Sequence, residues 1–221
     1  MFTLNKATQT QEIKNLWRIK AVGATSIIEL RAIKPDGIIT KLFKGKDFNS
    51  SDELRLAFEQ EALRLNADGY NIYVVMNPIN DSFTGKSAKD QDIAYRDLLL
   101  IDIDRSGISK EPASDEELEV ARLLSDDIAA YLKLGGLDDP LRVMSGNGNH
   151  LYYILDSVDN SEDITIVIKD FLNDLATEFN NDIVKVDTCV YNASRITKVV
   201  GTIARKGIET EERPFRMARF L

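Results

Sequence analysis

The segment Leu98-Leu99-Leu100-Ile101-Asp102-Ile103-Asp104 places two carboxylates in what otherwise reads as a core strand. Side chains two apart on a strand share a face, and a rise of roughly 3.3 Å per residue puts their Cα atoms about 6.6 Å apart. Ionised carboxylates side by side at the end of a buried strand are costly unless something positive compensates them. A divalent cation would do so. Emergence of the strand end into solvent, with Arg105 as partner, would also do so, and the Asp-x-Asp pattern alone leaves both readings open.

Around this strand the periodicity reads as mixed α/β. Ser50 and Glu53 are placed as a capping box opening a helix through about Leu65. Asp68-Gly69 then turns the chain into a buried strand from Asn71 to Met76, which Asn77-Pro78 ends. Asn80 to Gln91 is polar and reads as a loop, and Asp97 to Asp104 is the next strand. A second capping box at Ser114 and Glu117 precedes Leu118, Ala121, Leu124, Ile128 and Leu132 at helical spacing, with Gly135-Gly136 as the stop. Leu141–Met144 and His150–Leu155 form an expected hairpin. A helix from about Glu162 to Phe179 carries Ile164, Ile168, Phe171, Leu175 and Phe179 along one side. Ile183–Asp187 and Ile196–Ala204 supply the last strands. Hairpins around intervening helices favour an α+β sheet covered by helices over a parallel βαβ array.

The 221 residues, 43% hydrophobic, suffice for one large domain or two closely packed halves. No apolar run approaches the roughly 18 residues that a membrane span needs. The first twenty residues scatter Lys6, Lys14, Arg18 and Lys20 among polar groups, without a signal-peptide core. A cytoplasmic protein with no membrane partner is expected. One cysteine, Cys189, and one histidine, His150, exclude an internal disulfide and a Cys/His zinc set, so any metal must rest on oxygen ligands. The net charge of -8 runs against a nucleic-acid partner. Its distribution weakens that objection, because residues 1–50 and 195–221 are both net basic and flank an acidic middle. Most of those acidic residues read as solvated helix faces.

Two further features carry chemistry. Ser145-Gly146-Asn147-Gly148-Asn149-His150 is a glycine-rich turn running into a strand. Two glycines allow exposed backbone N–H groups to approach phosphate oxygens, and alternation puts His150, Tyr152 and Ile154 on one face. A plain Asn/Gly hairpin turn with an incidental histidine fits the same residues. Ile183-Val184-Lys185-Val186-Asp187 ends a short apolar strand on a carboxylate. After it, Arg195, Lys198, Arg205 and Lys206 are spaced through a segment otherwise small or apolar. Such cations suit a triphosphate, and they equally suit a basic edge strand that discourages aggregation.

In chain order these features are apolar-Asp-x-Asp, Ser-x-x-x-x-His, apolar-Asp and Arg-x-x-Lys-x-x-Gly-Thr. That order resembles the archaeo-eukaryotic primase superfamily, and more closely its primase-polymerases from plasmids, phages and mobile or CRISPR-associated loci. The resemblance runs from about residue 70 to 216 and includes Tyr73 to Pro78, Asp104 to Ser109 and Glu211 to Arg216; residues 1–69 match loosely. Phe215 stands where the resemblance leads one to expect histidine, and it is given no role.

The resemblance implies an RRM-like catalytic sheet, about residues 91–221, packed on a smaller N-terminal α/β unit of about residues 1–90. It implies that Asp102, Asp104 and Asp187 are catalytic and hold two Mg²⁺ or Mn²⁺ ions. His150, Arg195 and Lys198 would hold the incoming nucleotide, with Ser145, Gly148, Asn149 and Lys206 completing the nucleotide site. The implied activity is that of a DNA primase and DNA polymerase acting on a single-stranded DNA template and primer with dNTP or NTP. Two ions stabilise both the attacking and the leaving oxygen of an in-line displacement, so no side-chain nucleophile is required. Tyr152 and Tyr191 are candidates for the side chain against the sugar. The chain ends soon after the last matching stretch, which suggests a domain excised from a longer protein with a helicase or other accessory region. A metal-dependent nuclease is the alternative enzyme reading. A non-catalytic RRM-like nucleic-acid-binding module is the other, and clustered carboxylates count against it.

Overall fold

Ser50 accepts the N–H of Glu53 at 3.2 Å and opens a helix over Ser51–Ala67, but the Glu53 carboxylate bonds the N–H of Asn49 rather than that of Ser50. The box at Ser114 is reciprocal: Glu117 N–H donates to the Ser114 hydroxyl at 3.2 Å and Ser114 N–H to the Glu117 carboxylate at 2.8 Å. The helix it opens, Asp115–Leu134, stops at Gly135 and Gly136, the latter at φ +96°, where the absence of a Cβ matters. In the computed structural model, which describes residues 6–106 and 110–221, these are α2 and α3. A short N-terminal α1 spans Lys6–Glu12, and α4 spans Glu162–Phe179, the range its apolar stripe predicts.

The strands are β1 (Ile27–Lys34), β2 (Gly37–Lys44), β3 (Asn71–Val75), β4 (Tyr95–Arg105), β5 (Leu141–Met144), β6 (Asn149–Asp159), β7 (Val184–Val186) and β8 (Ile196–Lys198). Three two-residue strands follow: β9 (Ile203–Ala204), β10 (Arg216–Met217) and β11 (Arg219–Phe220). One sheet has the order β2-β1-β3-β8 and a second the order β11-β5-β6-β4-β7, with β9 and β10 paired separately; all pairings are antiparallel. α2 packs on β1 and β3 of the first sheet. α3 packs on β4 and β6 of the second, and α4 on β7. This is the mixed α+β architecture that hairpins around helices imply.

Two departures from the sequence reading matter for the site. Ile196–Ala204 is not one strand: β8 joins the first sheet beside β3, a turn at Val199–Thr202 follows, and β9 pairs with β10. Gly201 sits in that turn at φ +77°, and a Cβ there would lie 2.5 Å from the backbone nitrogen of Ile13. The chain therefore returns from the second sheet to the first before it ends. The β1–β2 hairpin is the other addition. Its turn is Pro35-Asp36, with Lys34 opposite Gly37, a signal of turn chemistry between two apolar runs.

Asparagines, Asn66 and Asn77 buried and Asn71 half-buried, tie distant segments together. Asn77 accepts the N–H groups of Asp97 and Leu98 and donates to the carbonyl of Ala193, so the end of β3 holds the start of β4 and the approach to β8. Asn66 accepts Ile203 N–H and donates to Ile203 O, while Asn71 does the same for Arg205. The segment from 203 to 205 is thus bound to α2 and β3 by four amide bonds, which an apolar side chain at either position would leave unpaired. Among the described residues, no helix is long and apolar enough to cross a membrane.

Candidate active site

Between β3 and β8 of the first sheet and β4 and β6 of the second lies a cavity of about 300 Å³. From β4, alternate residues Leu100, Asp102 and Asp104 face it, as strand alternation requires. Ser145, Asn147 and His150 close one side; Asn71 and Tyr73, Thr197 and Lys198, and Arg205 and Lys206 close the other. An acidic pair on one wall thus faces a basic wall formed by the chain's return to the first sheet.

Register explains the arrangement. His150 lies directly opposite Asp102 in the β4–β6 ladder, so both side chains leave the same face, and Nε2 of His150 is 3.4 Å from Oδ1 of Asp102. Its Nδ1 meets the Tyr152 hydroxyl at 2.9 Å, and that hydroxyl bonds the Thr197 hydroxyl of β8. Asp104 accepts its neighbour Arg105 N–H and lies 3.9 Å from the Lys206 ammonium. Burial, then the charge of Asp102, pushes the Asp104 carboxyl up from its ordinary value.

The turn at 145–148 is a tight hairpin whose glycines serve packing. Ser145 donates both its N–H and its hydroxyl to the Gly148 carbonyl, and Gly146 N–H is directed at the Met144 sulfur. A Cβ on Gly148 would fall 2.2 Å from the carbonyl oxygen of Ile103, and one on Gly146 would fall 2.4 Å from the Ala204 Cβ. The turn is wedged between β4 and β9. Asn149 is opposite Ile103, so it shares that residue's face rather than that of Asp102 and His150, and its buried Oδ1 has no hydrogen-bond partner among the described residues.

Asp102, Asp104, Ser145, His150, Lys198 and Lys206 therefore meet at one cavity, whereas Gly148, Asn149, Arg195 and Asp187 are outside its lining. Asp187 is adjacent nonetheless: its N–H donates to the Asp102 carbonyl at 2.8 Å, and its carboxylate accepts Cys189 N–H. Among the described residues, no three His, Cys, Asp or Glu side chains are gathered as a ready metal-holding group. The Arg195 guanidinium bonds the Cys189 carbonyl. Of the tail's other cations, Arg213 pairs with Glu117 and Glu111, and Arg216 with Asp115; the cations that line the cavity are Lys198, Arg205 and Lys206.

Neither tyrosine considered for the sugar lines the cavity. Tyr152 is buried behind His150, and Tyr191 packs beside Lys169 of α4. Tyr73 does line it. Residues given no site role from sequence, Asn71, Tyr73, Asn147 and Thr197, also form its walls, together with Arg205 of the basic segment. Tyr73 and Asn71 were legible as alternate positions of one strand, but nothing in their own segment indicates which face meets the aspartates.

No family model and no curated protein matches the chain. Among solved structures it is similar to the polymerase domain of Ligase D from Mycobacterium tuberculosis in complex with DNA, with TM-score 0.53, 16% identity, and coverage of 96% of this chain and 81% of that one. It is also similar to the catalytic domain of primase Repb' in complex with initiator DNA, with TM-score 0.48, 12% identity, and coverage of 96% and 84%. At these identities the likeness is one of fold. The chain shares the mixed α/β fold of the Ligase D polymerase domain.

Proposed function

We propose that this chain is a DNA primase-polymerase: a nucleotidyltransferase that adds nucleotides to a primer on a single-stranded DNA template. The observation that carries the reading is the cavity itself, where Asp102 and Asp104 face Lys198, Arg205 and Lys206 across a space of nucleotide-sized dimensions. The resemblance in motif order and the fold shared with a polymerase domain point the same way.

The residues fit a divalent metal. Asp102 and Asp104 are hard oxygen donors on one face of β4, and both line the cavity. Asp187, held next to Asp102 by the strand pairing, would join them by turning its carboxylate from Cys189. Bound Mg²⁺ or Mn²⁺ would stabilise the charge on the attacking and leaving oxygens. Lys198, Arg205 and Lys206 would hold the triphosphate, with His150 donating from the opposite wall. Arg195 would keep the loop after Asp187 in place through Cys189 rather than reach the cavity.

The test is extension of a primer on single-stranded DNA by purified protein with Mn²⁺ or Mg²⁺ and nucleotides. Asp102→Ala should lower the rate by at least about 100-fold, as removal of a principal electrostatic group does. Undiminished synthesis by that variant would refute the assignment.

A further inference from the structure

The chain's one histidine ends a hydrogen-bonded series that crosses from one sheet to the other. Thr197 belongs to β8 of the first sheet, and Tyr152 and His150 belong to β6 of the second. The three are almost wholly buried, at 2%, 1% and 6% exposure. Each proton in the series can be placed by elimination. Asp102, as a carboxylate, offers only acceptors, so a hydrogen on the His150 nitrogen facing it, Nε2 at 3.4 Å, avoids setting lone pairs against lone pairs. In a neutral imidazole Nδ1 is then an acceptor, and Tyr152, 2.9 Å away, must donate to it. Tyr152 having spent its proton, its oxygen receives the Thr197 hydroxyl. Burial raises the Tyr152 phenol far above its ordinary value, which keeps that proton on the oxygen.

The reverse order fails on the same count. If Nδ1 donated to Tyr152 and Tyr152 to Thr197, the buried Thr197 hydroxyl hydrogen would have no acceptor among the described contacts, since the other neighbour of its oxygen is Nδ1 itself at 3.5 Å. Leaving a buried donor unmade is costly.

We propose that Tyr152 and Thr197 are positioning residues for His150: they hold its imidazole as the neutral Nε2–H tautomer and so present an N–H donor to the cavity. In the free protein that donor faces Asp102, and with a nucleotide bound it is available to a phosphate oxygen. The second half rests on the proposed function; the first does not. The device also makes the orientation of His150 depend on the docking of the two sheets, because its last member lies on the other sheet.

A single histidine makes the test direct. Protein labelled with ¹⁵N-histidine, with any purification tag removed, gives one imidazole in long-range ¹H–¹⁵N correlation at neutral pH, without metal or nucleotide. The expected spectrum is the Nε2–H tautomer with an unprotonated, hydrogen-bonded Nδ1. Tyr152→Phe should lose that pattern and populate Nδ1–H. Thr197→Val should weaken it, while Thr197→Ser, which keeps the hydroxyl, should preserve it. In primer extension, Tyr152→Phe should raise the nucleotide KM by about fivefold with little change in kcat, the size of one lost hydrogen bond. A wild-type imidazole that is Nδ1–H or doubly protonated overturns the proposal, as does a Tyr152→Phe spectrum identical to wild type. The relay stands if the spectra behave as expected while no nucleotide is incorporated; the proposed function then fails alone.

Discussion

The backbone N–H of Asp187 donates to the carbonyl of Asp102 at 2.8 Å, one step beyond the Ile103–Val186 pair of the β4–β7 ladder. Residues opposed in an antiparallel ladder share a face, so the third aspartate is assigned to the side of the first two by strand pairing, 85 positions away in sequence, and not by local geometry. Its carboxylate is meanwhile occupied as acceptor for Cys189 N–H.

That arrangement separates structure from metal binding. Asp187→Asn keeps an oxygen that can accept Cys189 N–H, so the metal-free protein should keep its thermal stability to within about 0.5 kcal/mol. It removes one of the three proposed anionic ligands, so Mn²⁺ affinity should fall by about tenfold or more and primer extension should be lost. Calorimetric Mn²⁺ titration beside thermal melts in EDTA distinguishes the two. Unchanged Mn²⁺ affinity would show that Asp187 stays with Cys189 and takes no part.

The turn at 145–148 gives a prediction about packing. In Gly148→Ala the new methyl must push the turn off Ile103 and Asp104, since it would lie 2.2 Å from one carbonyl oxygen and 3.3 Å from the Asp104 Cα. A cost of about 1–3 kcal/mol in chemical denaturation is expected, with loss of extension activity because the turn leads directly into His150. Gly37→Ala is the control: nothing lies within 4 Å of its added Cβ, and it should be close to neutral. Equal effects of the two substitutions would show that the wedge between β4 and β9 is not tight.

What sequence makes legible here is whatever depends on near neighbours. The α3 capping box, the α4 stripe and the β5–β6 hairpin are local patterns, and they appear where those patterns place them. The pairing of Asp102 with Asp104 is equally local, since two residues apart on β4 is one face. The wall opposite them is not. That Thr197 meets Tyr152, or that Tyr73 and Arg205 share a cavity with Asp102, follows from the chain leaving the second sheet after β7 so that β8 pairs with β3, and the one local sign of a break between 196 and 204, Gly201, does not tell which strand β8 joins. Likewise, the tail's cations look alike in sequence. The carboxylates that claim Arg213 and Arg216 sit at the start of α3, a hundred residues earlier.

Lys198 gives the pH dependence. It is 5% exposed, donates to the Ile203 carbonyl at 3.1 Å and to Asn71 Oδ1 at 3.4 Å, and lies 5.5 Å from the centre of the Tyr73 ring. Burial, and then the charge of Arg205, pulls its ammonium down to about 7 from an ordinary 10.5. Between those values the unfolded chain binds the extra proton, so burial of Lys198 opposes folding most below about pH 7 and the cost is relieved as pH rises toward 10.5. A triphosphate in the cavity reverses the preference, because its negative charge favours the ammonium. Nucleotide binding should therefore take up a proton, and affinity for the metal-bound nucleotide should weaken by about tenfold from about pH 6 to about pH 8.5. Lys198→Met should bind more weakly at the acidic end and show a correspondingly flatter profile. Calorimetry in two buffers of different ionisation enthalpy counts the proton directly. The same uptake in Lys198→Met as in wild type would place the titrating group elsewhere and remove Lys198 from the triphosphate site.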